Sequence, residues 1–272
     1  MAAGRTPTLL FLLRLARVTL HLLRGLAIAS FVFPWISKPG RDTRKRRWSR
    51  KLLSILAVSV RGRNAPESLP ERCVLVLNHI SWLDIFVINA TSPATFIAKS
   101  EIRDWPFVGW LCTLVGTLYI ERGRPSAVRK ATRAIVAELE RGVLIALFPE
   151  GTTTFGRSLE PFHAALFQPA LDAAATLQPI ALRYLDAAGA PTDAAGYVGE
   201  TTFMESVWTI LSTRRIVCEL TLLAPISVHG QTRRSLAAKT EGAIARALDV
   251  PAPGPSHARR KEPGTAAGPR GG

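Results

Sequence analysis

The sequence predicts an α/β fold, a mixed central β-sheet flanked by helices, with membrane-associated helices at the N-terminus. Short apolar runs rich in β-branched residues recur in the middle of the 272-residue chain, and amphipathic helical segments lie between several of them. The first 63 residues differ, because they are strongly basic as well as apolar. We therefore divide the chain into a membrane-association arm (1–63), an α/β domain (64–250) and a Pro/Gly-rich tail (251–272) that we expect to be disordered.

The net charge of +15 is concentrated in the arm. Residues 1–63 contain 14 Lys or Arg and one acid, Asp42, whereas residues 64–251 contain 17 basic and 18 acidic residues. A neutral body argues against nucleic acid as a partner, and the arm has no base-reading or dimer element. The basic arm instead predicts contact with anionic membrane lipids.

Residues 9–36 predict a helix that lies in the membrane interface. Its polar residues recur at spacings of three, four and three, which places them on one stripe among leucines and valines: Arg14, Arg17, His21 and Arg24. The uncharged stretch 25–37 is too short to span a bilayer, so we expect the arginines to reach lipid head groups. A single-span anchor with snorkelling arginines is the alternative.

A second membrane element is predicted directly after this helix. Residues 41–51 form a basic cluster around Trp48, and the apolar run Leu52–Val60 follows. Each basic residue near an anionic leaflet contributes roughly 1 kcal/mol. The alternative, a DNA-binding basic helix, lacks the base-reading residues that it needs.

The body alternates predicted strands with predicted helices. The apolar runs that predict strands are 73–77, 94–98, 117–120, 143–148, 179–185 and 216–223. Residues 125–141 and 232–248 have helical periodicity, and Gly142 suits a helix C-cap. The three cysteines, Cys73, Cys112 and Cys218, lie in apolar sequence without metal-ligand spacing, which predicts buried thiols in a reducing compartment and no metal or cofactor.

A candidate catalytic pair lies in the segment NHISWLD (78–84). On one straight helix His79 and Asp84 point about 140° apart and cannot meet. They can meet if His79 ends a strand and a helix begins in between, with Ser81 as N-cap and Asp84 at the third helical position. A carboxylate beside the imidazole fixes its tautomer and raises its basicity, as a general base requires. A capping Asp and an unrelated His are the alternative.

Further polar residues follow other predicted strands. Glu121 and Arg122 come after the run 117–120, and Glu150, Gly151 and Thr152 come after 143–148. Ligands of open α/β sheets bind where the carboxyl ends of strands converge. There is no nucleophile elbow, P-loop, H-E-x-x-H or dinucleotide motif. The simplest chemistry is deprotonation of a substrate hydroxyl by His79, followed by attack of that hydroxyl on an activated acyl group.

The segment NHISWLD resembles the N-H-x-x-x-x-D motif of the glycerolipid acyltransferases, the lysophosphatidic acid acyltransferase family. GTLYIERGR resembles the second motif of that family, FPEGTTT the third and QPIAL the fourth, in family order over roughly residues 70–190. The resemblance implies a glycerolipid-acyltransferase-like α/β domain. It also implies transfer of a fatty acyl group from acyl-CoA or acyl-carrier protein to a lysolipid hydroxyl. We expect the protein at the cytoplasmic face of the inner membrane.

The resemblance also implies roles for individual residues. His79 is implied as the base and Asp84 as its partner. The acceptor would be bound by Arg122, Glu150, Gly151, Thr152 and Lys99.

Two positions depart from the family pattern. Thr153 and His163 stand where many phosphatidic-acid-forming members have arginine and lysine. The leading hypothesis is acylation of 1-acyl-sn-glycerol-3-phosphate to phosphatidic acid. The alternatives are the same chemistry on lyso-ornithine lipid or another lysophospholipid, and a non-catalytic membrane module. Such a module would have no reason to keep all of His79, Asp84, Arg122 and Glu150.

Overall fold

The structure is a computed structural model that describes residues 6–64, 69–104, 112–113, 116–120 and 125–253, apart from the side chains of Lys99 and Pro125. The predicted acceptor-binding Arg122 and most of the predicted disordered tail lie outside these residues. The helices of the described residues are α1 Thr8–Phe31, α2 Lys38–Ile55, α3 Leu83–Thr91, α4 Pro125–Glu140, α5 Gln168–Asp172, α6 Phe203–Ser212 and α7 Arg233–Leu248. Short 3-10 helices cover Phe33–Trp35, Ser100–Asp104 and Ala164–Phe167.

The strands form one seven-stranded sheet. They are β1 Val58–Arg63, β2 Cys73–Leu77, β3 Thr95–Lys99, β4 Leu118–Ile120, β5 Ile145–Leu147, β6 Thr176–Leu185 and β7 Ile216–Leu222. Their order is β1-β7-β6-β2-β5-β3-β4, and all neighbours are parallel except the antiparallel pair β6 and β7. The predicted mixed sheet flanked by helices is therefore confirmed.

Both faces of the sheet are covered, as the apolar strand sequences require. Alternate residues of β2 enter two separate cores: Cys73, Leu75 and Leu77 pack with α1, α2, α3 and α6, whereas Val74 and Val76 pack with α4, α5 and α7. The two layers of helices thus lie on opposite sides of the sheet. Helix α4 ends at Glu140, and Gly142 follows with the positive φ of 73° that suits the predicted glycine cap.

The apolar run Leu52–Val60 does not form the predicted membrane element. Leu52, Leu53, Ile55 and Leu56 are buried in the core against α3 and the sheet, and Val58 begins β1, the edge strand beside β7. The run is apolar because its residues form part of the hydrophobic core. The last six residues of the predicted arm, 58–63, form a strand of the sheet. Two of the cysteines, Cys73 and Cys218, are buried as predicted, whereas Cys112 is partly exposed.

One side of helix α1 packs against the body of the protein. Two residues of the polar stripe, which we expected to reach lipid head groups, lie on this packed side. Arg14 is buried, and its guanidinium donates to the carbonyls of Leu211, Thr213 and Arg214 at the C-terminal end of α6. His21 stacks on Trp48 of α2 with ring centroids 4.7 Å apart. Arg14 and His21 therefore dock the helix on the body and do not reach lipid head groups, because orphan carbonyls and an aromatic ring offer them partners.

The opposite side of α1 is apolar and exposed. At 100° per residue six of its eight large exposed side chains fall on one face: Leu9, Leu12, Leu13, Leu20, Leu23 and Phe31. Leu10 and Leu22 lie outside this face. Within the described residues, Thr8–Trp35 is the one helical segment that is long and apolar enough to cross a membrane.

Candidate active site

The candidate site begins where β2 ends. The amide of Asn78 is buried and bridges to β6, since its Nδ2 donates to the Leu182 carbonyl at 2.9 Å and its Oδ1 accepts from the Leu182 N–H at 2.8 Å. The side chain thus continues the strand pairing by one residue. His79 is thereby fixed at the carboxyl end of a buried strand.

Asp84 lies in the first turn of α3, one loop after His79. The Nδ1 atom of His79 and the Oδ2 atom of Asp84 are 2.8 Å apart. The helix begins one residue later than predicted, because Trp82 and not Ser81 occupies the N-cap position, and Asp84 is its second residue. The predicted meeting of the two side chains across a strand–loop–helix junction is nevertheless what the structure has.

The Asp84 carboxylate is fully buried and receives four hydrogen bonds. Its Oδ2 accepts the backbone N–H groups of Ile80 and Ser81 at 2.8 and 3.0 Å besides His79, and its Oδ1 accepts the hydroxyl of Tyr184 at 2.8 Å. A buried carboxylate with these donors is a pure acceptor. The proton shared with His79 therefore belongs to Nδ1, which leaves the lone pair on Nε2.

An aromatic stack holds the plane of the imidazole. Phe148 lies against His79 with ring centroids 4.0 Å apart and planes at 14°, and Phe96 stacks behind Phe148 at 6.0 Å. The His79 side chain keeps 20% of its surface exposed. One ring nitrogen is therefore fixed toward Asp84 while the ring remains open to a reactant.

Glu150, predicted to bind the acceptor, is buried and held by two backbone groups. Its Oε1 accepts the His79 N–H at 2.7 Å and its Oε2 accepts the Glu160 N–H at 2.9 Å. Burial raises the pKa of Glu150 to about 7, although both hydrogen bonds act to lower it. The carboxylate thus clamps the end of β2 to the segment after β5, and its contact with the acceptor stays a prediction.

The segment that follows Glu150 folds back over the turn between β2 and α3, residues 79–82, which we call the catalytic turn. Gly151 has φ of 70°, which favours glycine, and Thr152 is exposed beside it. The Thr154 N–H donates to the His79 carbonyl at 2.9 Å, and the Tyr197 N–H donates to the Ile80 carbonyl at 3.1 Å. Both backbone carbonyls of the turn are therefore paired, so the turn is fixed from two sides.

The parallel strands bring the predicted site segments to one edge of the sheet. Strands β2, β5, β3 and β4 are consecutive and parallel, so their carboxyl ends share that edge. The residues after β2 and β5 meet directly, as the contact between His79 and Glu150 demonstrates. Lys99 is the last residue of β3, and β4 ends at Ile120. The acceptor-binding roles of Lys99 and Arg122 stay predictions.

The two positions that depart from the family pattern carry no permanent charge near the turn. The Thr153 hydroxyl donates to the Tyr197 carbonyl. His163 is exposed, and its backbone N–H donates to the Pro149 carbonyl at 2.9 Å.

Sequence reasoning missed two residues that support the pair, Tyr184 and Phe148. Ile180, Leu182 and Tyr184 are spaced by two along β6 and therefore lie on the same face of the sheet, toward the core that contains α3. This spacing could have indicated that Tyr184 lies on the side of the catalytic pair. Phe148 stands directly before the motif residues Pro149 and Glu150. A sequence pattern alone does not indicate that its ring meets the imidazole.

Comparison with known proteins decides the family. The family model described as Acyltransferase matches residues 57–183. The chain is 35% identical over 243 residues to a lyso-ornithine lipid O-acyltransferase of Pseudomonas aeruginosa, over 87% of this chain and 93% of that protein. This chain belongs to the acyltransferase family.

Other acyltransferases agree with this assignment. A 1-acyl-sn-glycerol-3-phosphate acyltransferase of Neisseria gonorrhoeae is 36% identical over 184 residues, covering 67% of this chain and 71% of that protein. The crystal structure of the 1-acyl-sn-glycerophosphate acyltransferase PlsC from Thermotoga maritima shares the fold with a TM-score of 0.62 at 19% identity, over 87% of this chain and 96% of that chain. The chain is thus an O-acyltransferase of lipid biosynthesis, and its apolar helix α1 indicates association with a membrane.

Proposed function

We propose that this acyltransferase moves a fatty acyl group from acyl-CoA or acyl-carrier protein to the free hydroxyl of a lysolipid, with His79 as general base. The observation that carries the proposal is the pairing of His79 Nδ1 with the buried Asp84 carboxylate at 2.8 Å. It fixes the tautomer in which Nε2 can accept a proton. No cofactor is needed, since the thioester of the donor is already activated.

The reaction balances with these two side chains alone. Nε2 of His79 takes the proton of the acceptor hydroxyl as the oxygen attacks the thioester carbonyl carbon, which forms the new C–O bond. The tetrahedral intermediate then expels the donor thiolate as the C–S bond breaks. The imidazolium, stabilised by Asp84, returns the proton to the thiolate sulfur.

The acceptor is proposed to lie across the carboxyl edge of the sheet. Gly151 and Thr152 follow the clamp formed by Glu150, Lys99 ends β3, and Arg122 follows β4 in the sequence. Cations at these places suit an anionic head group, because hydrogen bonds from arginine to phosphate are charge-assisted.

The leading acceptor is 1-acyl-sn-glycerol-3-phosphate, which the relatives from Neisseria are named for. The second candidate, lyso-ornithine lipid, is favoured by the uncharged Thr153 and by the Pseudomonas relative, 93% of which this chain covers. The test is the ratio of kcat/KM for the two acceptors with one labelled donor and the purified full-length protein. Use of lyso-ornithine lipid alone would replace the leading candidate, and use of neither would reject both.

We further propose that the enzyme sits on the cytoplasmic face of the inner membrane as a monotopic protein. The docked side of α1 and its exposed leucines support a helix that lies in the interface, with Arg17 and Arg24 at the flank of the apolar face. A spanning helix would have to release Arg14 from the three carbonyls it binds. Proteolysis of inverted and right-side-out membrane vesicles tests the side, and cleavage of the body only in right-side-out vesicles would refute it.

A further inference from the structure

Helix α6 presents large apolar side chains outward, although it lies in the body and not in the arm. Phe203, Met204 and Trp208 are 46%, 67% and 59% exposed. Ser206, Ile210 and Leu211 of the same helix are buried in the core. We name the three exposed side chains the α6 face.

The α6 face adjoins helix α1. The ring of Phe11 contacts Trp208 with centroids 4.4 Å apart, and the Thr6 N–H donates to the Ser212 carbonyl at 2.9 Å. Arg14 binds the last carbonyls of α6. The two helices are therefore fixed to each other at the end of α1 where Leu9 and Leu13 are exposed.

The same surface leads to the catalytic turn. The indole N–H of Trp82, three residues after His79, donates to the Ser206 hydroxyl at 3.0 Å. Its ring also contacts Phe203 with centroids 5.3 Å apart. Helix α6 thus contacts α1 through Trp208 and the residue that caps α3 through Phe203.

We propose that the α6 face inserts into the acyl-chain region of the bilayer together with α1, so that the catalytic turn lies at the lipid surface. Lipid is the fitting occupant because the face adjoins a helix of membrane-crossing length and apolarity, which carries the exposed Arg17 and Arg24 at the flank of its apolar side. This inference rests on the proposed lysolipid reaction only for the reason that the site should lie at the lipid surface. The lipid contact itself is measured without turnover.

The experiment compares two variants that each add one carboxylate to an exposed helix position, Met204→Glu on α6 and Ala247→Glu on α7 in the opposite layer. Full-length proteins are sedimented with vesicles of phosphatidylglycerol and phosphatidylcholine over a range of lipid concentration. We expect Met204→Glu to weaken partitioning about fivefold to tenfold, since a charge replaces an apolar side chain in the acyl region. Ala247→Glu should partition as the wild type does. Thermal unfolding confirms that both variants fold.

A second readout does not depend on an added charge. Met204→Cys in a Cys112→Ser background carries a bimane label, because the other two cysteines, Cys73 and Cys218, are buried. Lipids brominated on the acyl chain should quench this label on vesicle binding, as they should quench one at Leu13→Cys. Quenching at 13 without quenching at 204, or equal partitioning of the two Glu variants, overturns the proposal. If the label at position 204 is quenched but the wild-type protein does not acylate a lysolipid, the proposed reaction is wrong and the proposed lipid contact stands.

Discussion

At the scale of single residues, the site depends on one buried carboxylate with a partner for each of its two oxygens. Asp84 binds the imidazole and two backbone N–H groups through Oδ2, and Tyr184 through Oδ1. A buried charge is tolerated in this arrangement because both carboxylate oxygens of Asp84 accept hydrogen bonds. The chemistry is left to the exposed nitrogen of His79.

The first prediction concerns His79. We expect His79→Ala to lower kcat at least ~10²-fold, because removal of a general base costs about that factor. Stopped assays with labelled donor measure it, and thermal unfolding verifies the fold. Near-normal turnover in a folded variant would exclude the proposed mechanism.

Tyr184→Phe tests how the carboxylate is tuned. The variant removes one donor to Oδ1 and leaves the three contacts of Oδ2, so Asp84 stays in place but holds a protonated imidazole more strongly. We expect the acidic limb of the pH profile of kcat/KM to move to higher pH. Thr240→Val, which also removes a buried hydroxyl but lies in α7, should leave the limb unchanged. An unchanged acidic limb in the Tyr184→Phe variant would mean that the Tyr184 hydroxyl does not influence the basicity of the Asp84 carboxylate.

Glu150 gives a prediction about stability and pH. Its pKa is raised from 4.5 to about 7 by burial, so the native state binds the proton more tightly than the unfolded state does. The associated stability is fully present below pH 4.5 and is lost as pH rises through 7, at ~1.4 kcal/mol for each pKa unit. Urea unfolding at pH 5 and pH 8 should therefore show the wild type losing more stability than Glu150→Gln, which does not titrate. Parallel losses in the two proteins would contradict it.

At the scale of elements, the strand ends were predictable and the arm was not. Buried parallel strands are apolar at every position, so β2 could be read directly as Cys73–Leu77 and the polar residues after it stood out. Strand β1 has the sequence VSVRGR, which contains polar and charged residues because an edge strand is only partly buried. The sequence alone therefore does not separate this strand from the basic arm. The arginine stripe of α1 was misread because a sequence does not show which carbonyls lack a partner in a distant helix.

Arg14 allows that last point to be tested. Arg14→Leu should lower the free energy of unfolding by ~2–3 kcal/mol, since the carbonyls of Leu211, Thr213 and Arg214 lose a charged donor. The variant should also speed proteolysis within α1. Arg17→Leu changes an exposed arginine of the same helix, and we expect an effect within about 0.5 kcal/mol. Equal effects of the two substitutions would show that the hydrogen bonds of Arg14 to these carbonyls contribute little to stability.

At the scale of the whole molecule, the sheet separates two sides with different tasks. One side carries α1, α2, α3 and α6, which include the apolar exposed face and the catalytic turn. The other side carries α4, α5 and α7. Eleven of the 14 basic residues of 1–63 lie on α1 and α2, which belong to the side proposed to meet lipid, whereas residues 64–251 are close to neutral.

This asymmetry makes a matched charge experiment feasible. Arg46 and Arg47 are exposed on α2, and Arg233 and Arg234 are exposed at the start of α7 in the opposite layer. A basic residue near an anionic leaflet contributes ~1 kcal/mol, so Arg46→Gln/Arg47→Gln should weaken binding to phosphatidylglycerol vesicles roughly tenfold or more. The double variant Arg233→Gln/Arg234→Gln, with the same change of net charge, should bind nearly as the wild type does. The difference should shrink as salt is added, because exposed charges are screened within about 8 Å at physiological ionic strength. Equal weakening by the two pairs would mean that net charge, and not the orientation of the sheet on the membrane, governs binding.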